Sequence, residues 1–188
     1  MAHLTGPVGY PQQTSQVIAY SSLIPAKIAP GTRARDKSGN EFVYVDYDSA
    51  RAIGEVVLIN PDFTASVCGA ASVGPVGIVC GTAATSDLAG WVQVYGYNKR
   101  ILGAPTLVAG PAAVGATTAV NAVAMSILVV AEVAGTTGDT NKVQGLIITT
   151  SASTSGLTSD GTSRPTSAHG YAFGQLNYPF VNGGGMTS

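Results

Sequence analysis

The side chains able to do chemistry are few in this chain, and none falls into a catalytic arrangement. Asp46 and Asp48 lie two residues apart at the end of an alternating apolar run, so both face the same side of a strand. Paired carboxylates can share acid and base roles at a glycosidic bond or hold a cation through oxygen ligands. At a strand end they are more commonly solvated, and that is the expectation here. Asp139 and Asn141 repeat the spacing within the polar run Gly135–Lys142, without EF-hand spacing, and a lone calcium there stays open. Cys68 and Cys80 match no zinc pattern and have no histidine nearby. They are expected to be two small buried thiols, with pairing open if adjacent strands bring them together. His3 and His169 both sit in low-complexity ends, whereas catalysis requires rigid placement. A nucleophile elbow is missing, and no glycine-rich run is followed by the Lys-Ser or Lys-Thr of a phosphate loop. Gly183-Gly184-Gly185 reads as slack chain. The sequence predicts no enzyme, no cofactor and no metal site.

The elements that would carry any site are strands. Gly90-Trp91-Val92-Gln93-Val94-Tyr95-Gly96 holds the only Trp and is bounded by glycine on both sides. Val92 and Val94 point one way, and Trp91, Gln93 and Tyr95 the other. Bulk on both faces predicts a central strand packed on two sides. Trp91 and Tyr95 read first as core or sheet-face aromatics, and alternatively as anchors for a neighbouring subunit. Phe42-Val43-Tyr44-Val45-Asp46-Tyr47 alternates in the same way, with Phe42 and Tyr44 opposite Val43, Val45 and Tyr47. Further strands are expected at Val56–Ile59, Phe63–Cys68, Val76–Cys80, Ile101–Leu102, Thr106–Val108, Thr118–Ala124, Ile127–Val133 and Val143–Thr150. Asp48–Gly54 reads as a loop or single turn, and Asn98-Lys99-Arg100 as a basic turn.

Composition bounds the function classes. Of 188 residues only 10% are charged and the net charge is −1, against about 25% charged in an average domain. Without clustered Lys and Arg there is no electrostatic case for nucleic acid or an anionic membrane. The most apolar stretch, Thr118–Ala134, is interrupted by Asn121, Ser126 and Glu132, which falls short of a membrane helix. No secretory signal pattern opens the sequence, so synthesis in a cytoplasm is expected. A surface this poor in charge suits a protein largely covered by partners.

With 24 glycines, 10 prolines and few strong helix formers, the chain is expected to be all-β, a compact β-barrel or β-sandwich. Residues 1–30 form an extended N-terminal arm broken by prolines, 31–150 the β domain, and 151–188 a flexible Ser/Thr/Gly-rich C-terminal extension. Both ends carry aromatic side chains that need a surface to lie against.

The order Gly39-Asn40-Glu41-Phe42-Val43-Tyr44-Val45, Ala52-Ile53-Gly54-Glu55-Val56-Val57, Pro75-Val76-Gly77-Ile78-Val79, Gly90–Gly96 and Val143-Gln144-Gly145-Leu146-Ile147 resembles small head proteins of tailed bacteriophages, of the capsid decoration (cement) kind. The resemblance covers about residues 31 to 150, and Gly-Trp-Val-Gln-Val-Tyr-Gly is its most specific piece. It implies a β-barrel or β-tulip-like domain, a homotrimer on the outer capsid surface that clamps neighbouring major capsid proteins, with no catalytic residues. The long Ser/Thr/Gly tail departs from that pattern. Trp91, Tyr95 and Tyr97 are expected near a subunit or capsid contact, with Tyr10, Tyr20, Phe173 and Tyr178 as arm anchors, since aromatics dominate interface energetics. Competing readings are a tail-tube or connector subunit, which would stack hexameric rings, and a glycan-binding head-fibre module.

Overall fold

A computed structural model describes residues 4–5, 18–19, 28–69, 72–81, 88–103, 110–114, 118–120, 123–125, 128–130, 142–153 and 170–181. Within them every regular element is a strand: β1 (Leu4–Thr5), β2 (Ile18–Ala19), β3 (Arg33–Asp36), β4 (Glu41–Tyr47), β5 (Val56–Ile59), β6 (Thr64–Val67), β7 (Gly74–Val79), β8 (Leu88–Gly103), β9 (Gly110–Val114), β10 (Thr118–Val120), β11 (Val123–Met125), β12 (Leu128–Val130), β13 (Lys142–Ser153) and β14 (Gly170–Val181). The all-β expectation holds. No helix among the described residues is long and apolar enough to cross a membrane.

Twelve strands belong to one sheet, and β10 and β11 form a separate antiparallel pair. Strand β8 organises the sheet. It runs antiparallel to β4, β7 and β14. The pairings β4–β6, β6–β5, β5–β7, β7–β8 and β8–β4 return to their starting strand. One core cluster takes residues from all five of these strands: Val43, Val45 and Tyr47 of β4, Val57 and Ile59 of β5, Ala65 of β6, Val79 of β7, and Val92 and Val94 of β8. Alternation supplies the opposite faces. Val56, Val76 and Ile78 pack with Ile101, Leu146, Ile148, Ala172 and Leu176, joining β5 and β7 to β8, β13 and β14. Phe42, Tyr44, Trp91, Ala34 and Ala89 make a third cluster. The strands Phe42–Tyr47 and Trp91–Tyr95 are therefore packed on two sides, as their sequence predicts.

Three expectations are corrected. Asn98-Lys99-Arg100 is not a turn but lies within the 16-residue β8. Asn98 tolerates burial there because its Nδ2 donates to Gln93 Oε1 at 2.8 Å, so a polar residue is satisfied inside a strand. The expected strand Thr118–Ala124 is the hairpin β10–β11, with Val120 opposite Val123. The C-terminal extension is not uniformly a tail: residues 170–181 form β14, with Ala172, Leu176 and Val181 buried. The Ser/Thr-rich residues before it obscure an alternation of Ala172, Gly174 and Leu176 inward with Phe173, Gln175 and Asn177 outward. Of the arm, Leu4–Thr5 pairs with β3 and Ile18–Ala19 with β8.

Candidate functional site

The short loop between β4 and β5 shows how the frame is held. Arg51 is fully buried, with Nη1 3.6 Å from Glu55 Oε1 and Nη2 on Asp48 Oδ1. Ala52 N–H donates to Glu55 Oε2 at 3.1 Å. The next residue outward, Gly54, donates to Val79 O and accepts from Leu102 N, both at 2.8 Å, which clamps the loop to β7 and β8. Asp48 is thus engaged structurally. Asp46 has one carboxyl oxygen buried without a partner, and burial, with Asp62 nearby, raises its pKa above the ordinary range. The two carboxylates therefore lie in different surroundings, Asp48 paired with Arg51 and Asp46 partly buried, rather than both solvated as expected. No group of three potential metal ligands occurs among the described residues. Asp139, Asn141, His3 and His169 lie outside them.

Cys68 and Cys80 are not joined in a disulfide and sit in different places, Cys68 within the β5–β7–β14 cluster and Cys80 against the Trp91 cluster. Burial pushes their thiols up to about 11 and about 12 respectively, the reverse of what a nucleophilic cysteine needs.

Four of the seven expected contact residues come together. Antiparallel pairing of β8 and β14 sets Tyr97 opposite Gln175 and Tyr95 opposite Asn177. The Tyr95 and Tyr178 rings lie 5.2 Å apart, and Tyr97 and Phe173 meet edge-on at 6.3 Å. Tyr97 is 41% and Tyr178 51% exposed. Trp91 does not join them. It is 3% exposed and packs edge-on against Tyr44 at 5.1 Å, a core position within this chain. Its position on the same face of the strand as Tyr95 made both readings open from sequence. What separates them is that Ala34 of β3 and Phe42 and Tyr44 of β4 cluster with Trp91, while Tyr95 stays half-buried. Tyr10 and Tyr20 lie outside the described residues.

Polar contacts fix this aromatic face. The Tyr178 hydroxyl donates to Glu41 Oε2 at 2.6 Å, and Arg35 donates to Glu41 Oε1. These two donors hold the Glu41 carboxyl below its ordinary range, and the same bond raises Tyr178. Asp36 accepts from the backbone N–H of Ser38 and Asn40 and from Asn40 Nδ2, at 2.8–2.9 Å. Asn40 Oδ1 in turn accepts from Tyr97 N–H at 3.0 Å. The turn is ordered, and it pins the Tyr95–Tyr97 backbone.

Beside this face runs an open groove of about 440 Å³. Its walls include Phe63, Val73 and Tyr178, with Pro61, Pro75 and Pro179 between, and among the described residues Arg33 is the one charged residue lining it. Phe63 and Val73 are 36% and 59% exposed. Among the described residues only two non-glycines have positive φ, Phe63 at 62° and Tyr178 at 46°. Both line the groove, from unrelated elements. Phe63 closes the β5–β6 hairpin at the left-handed position usually given to glycine, its N–H bonded to Asn60 O at 2.9 Å. Its ring lies over Gly31, where a Cβ would meet it at 2.5 Å. Tyr178 sits in a bulge where Asn177, Tyr178 and Pro179 oppose Gly145 alone. A bulge re-aims a side chain; here it swings Tyr178 towards Glu41 and the groove. Sequence reasoning missed Phe63, Val73, Arg33 and Glu41. The available signal was Asn60-Pro61-Asp62-Phe63, a turn that puts Phe where Gly would be relaxed.

No protein-family model, curated protein or solved structure matches the chain.

Proposed function

We propose that this protein is a structural component of a tailed-phage virion that decorates the outer surface of the capsid and stabilises contacts between major capsid proteins. The observation that carries the reading is the convergence of Tyr95, Tyr97, Phe173 and Tyr178 on one exposed face of a weakly charged β protein. Aromatics held by ring contacts, with Tyr178 also bonded to Glu41, are the side chains that supply interface energy at low entropic cost. The closed circuit of β4, β6, β5, β7 and β8 is read as a small β-barrel, the rigid body that presents this face. Self-association as a homotrimer, with the major capsid protein as the other partner, follows the resemblance of residues 31 to 150. Neither an enzymatic activity nor a cofactor forms part of the reading.

The test is co-sedimentation of the purified protein with expanded, undecorated heads of the virus that encodes it. Saturable binding at a fixed ratio to the major capsid protein, with heads more resistant to heat, is the expected result. Absence of binding refutes the reading. A glycan-binding module remains the second reading, favoured by one observation: a polar cleft of about 480 Å³ lined by Ser38, Asn40, Tyr95, Tyr97, Lys99 and Gln175. Saccharide binding lost on Tyr97→Ala, by a protein that ignores heads, would select it. Hexameric rings or tubes formed by the protein alone would point instead to a tail-tube or connector subunit.

A further inference from the structure

We infer that the groove between Phe63, Val73 and Tyr178 receives an extended peptide segment of a partner protein, carrying an apolar side chain next to a carboxylate that faces Arg33. This deepens the docking reading above and rests on it. Two observations from different parts of the chain lead to it. First, left-handed backbone is unfavourable for an L-residue, and at both places where a non-glycine bears it among the described residues, an exposed aromatic is held against this one groove. Residues in sparsely populated backbone regions cluster at ligand clamps. Second, among the described residues the lining is apolar apart from Asn60 and the Tyr178 hydroxyl and carries a single charge, Arg33. An occupant that matches it is mostly apolar with one negative group. The prolines at 61, 75 and 179 and the aromatic rims give a surface suited to an extended chain rather than a helix, because extended peptides alternate their side chains into such walls. A second copy's N-terminal arm does not match: residues 1–30 contain no Asp or Glu, so that arm has no side-chain carboxylate to offer Arg33.

The experiment pans a random twelve-residue peptide library against the full chain, with Val73→Asp as counter-selection. Val73 is mostly exposed, and a melt checks that the variant folds like the parent. Enriched peptides are expected to place an aliphatic or proline within two residues of Asp or Glu, and to bind Val73→Asp at least tenfold more weakly. Arg33→Glu should reverse the preference towards Lys or Arg. No enrichment, enrichment of peptides that bind Val73→Asp equally, or an unchanged preference with Arg33→Glu overturns the inference. Benzoylphenylalanine placed at Val73 tests the other occupants. Cross-links formed on irradiation of the protein alone, within a chain or between two copies, would show the groove filled by this protein and would also overturn it. If Val73→Asp still sediments with heads as the parent does, the groove proposal fails while the capsid reading stands.

Discussion

Replacing Phe63 by Gly and by Ala should give the reverse of the usual ranking. Fully burying a Phe side chain contributes roughly 1.5–3 kcal/mol. Phe63 keeps 36% of its surface exposed, so its ring supplies about 1–2 kcal/mol, chiefly over Gly31. Its left-handed backbone costs about 1–2 kcal/mol, which Ala retains and Gly removes. Glycine loses about 0.4–1 kcal/mol through the freer unfolded chain. Phe63→Ala should therefore cost about 1–2 kcal/mol, and Phe63→Gly only about 0–1 kcal/mol, because the released strain offsets most of the lost ring. Urea unfolding at neutral pH, compared by midpoint at constant slope, reads both values. The expected order is wild type at or above Gly, and Gly above Ala. A Gly variant less stable than the Ala variant would refute the claim that this position is strained, and with it one of the two supports for the groove as a built site.

Trp91→Ala should destabilise the isolated monomer by about 3–5 kcal/mol, and in the wild type Trp91 emission should resist iodide quenching until the chain unfolds. Arg51→Met should cost about 3–5 kcal/mol by taking the counter-ion from buried Glu55, Glu55→Leu less because Arg51 keeps Asp48, and the double variant should recover most of the Arg51→Met loss in the same urea assay. Because the folded state lowers the Glu41 pKa, its contribution is present above the ordinary value of 4.5 and is lost as pH falls through the depressed one; Tyr178→Phe should shrink that acid-side loss in a pH series of melts. Cys68 and Cys80, raised to about 11 and about 12, should resist iodoacetamide at pH 8 in the folded protein and react in urea, as mass spectrometry would record.

The parts of the fold legible in the sequence are those where alternation is uninterrupted and neighbours are close in the chain. Phe42–Tyr47 and Trp91–Tyr95 declare both faces, and the β5–β6 hairpin follows from Asn60-Pro61-Asp62. Legibility fails where long-range pairing decides. Asn98-Lys99-Arg100 has turn composition, yet β14 pairs with Asn98 through Gly174 and keeps the strand running. The segment 170–181 follows a Ser/Thr-rich stretch, and only its partners β8, β13 and β7 reveal it as a strand. Among the contact residues, the aromatic types were visible and their meeting was not. Tyr95 and Tyr178 are neighbours only because a bulge absorbs Asn177, Tyr178 and Pro179 opposite Gly145. Trp91 was ambiguous for a similar reason: its burial comes from Ala34, Phe42 and Tyr44, which only the pairing of β8 with β4 brings beside it.

The pairing of β8 with β14 has a consequence for how the chain comes off the ribosome. Tyr171 pairs with Leu102, about 70 residues earlier, and synthesis at about 5–20 residues per second separates the two by several seconds. The circuit of β4 to β8 is complete in sequence well before that, with short-range partners. During the interval Val56, Val76, Ile78 and Ile101, which β13 and β14 later cover, face solvent beside an unpaired β8 edge. Such an edge invites pairing between nascent chains. Folding of this protein is therefore expected to be slow, dominated by its longest-range contacts, and its yield to depend on chaperone cover and expression rate more than on the stability of the finished molecule.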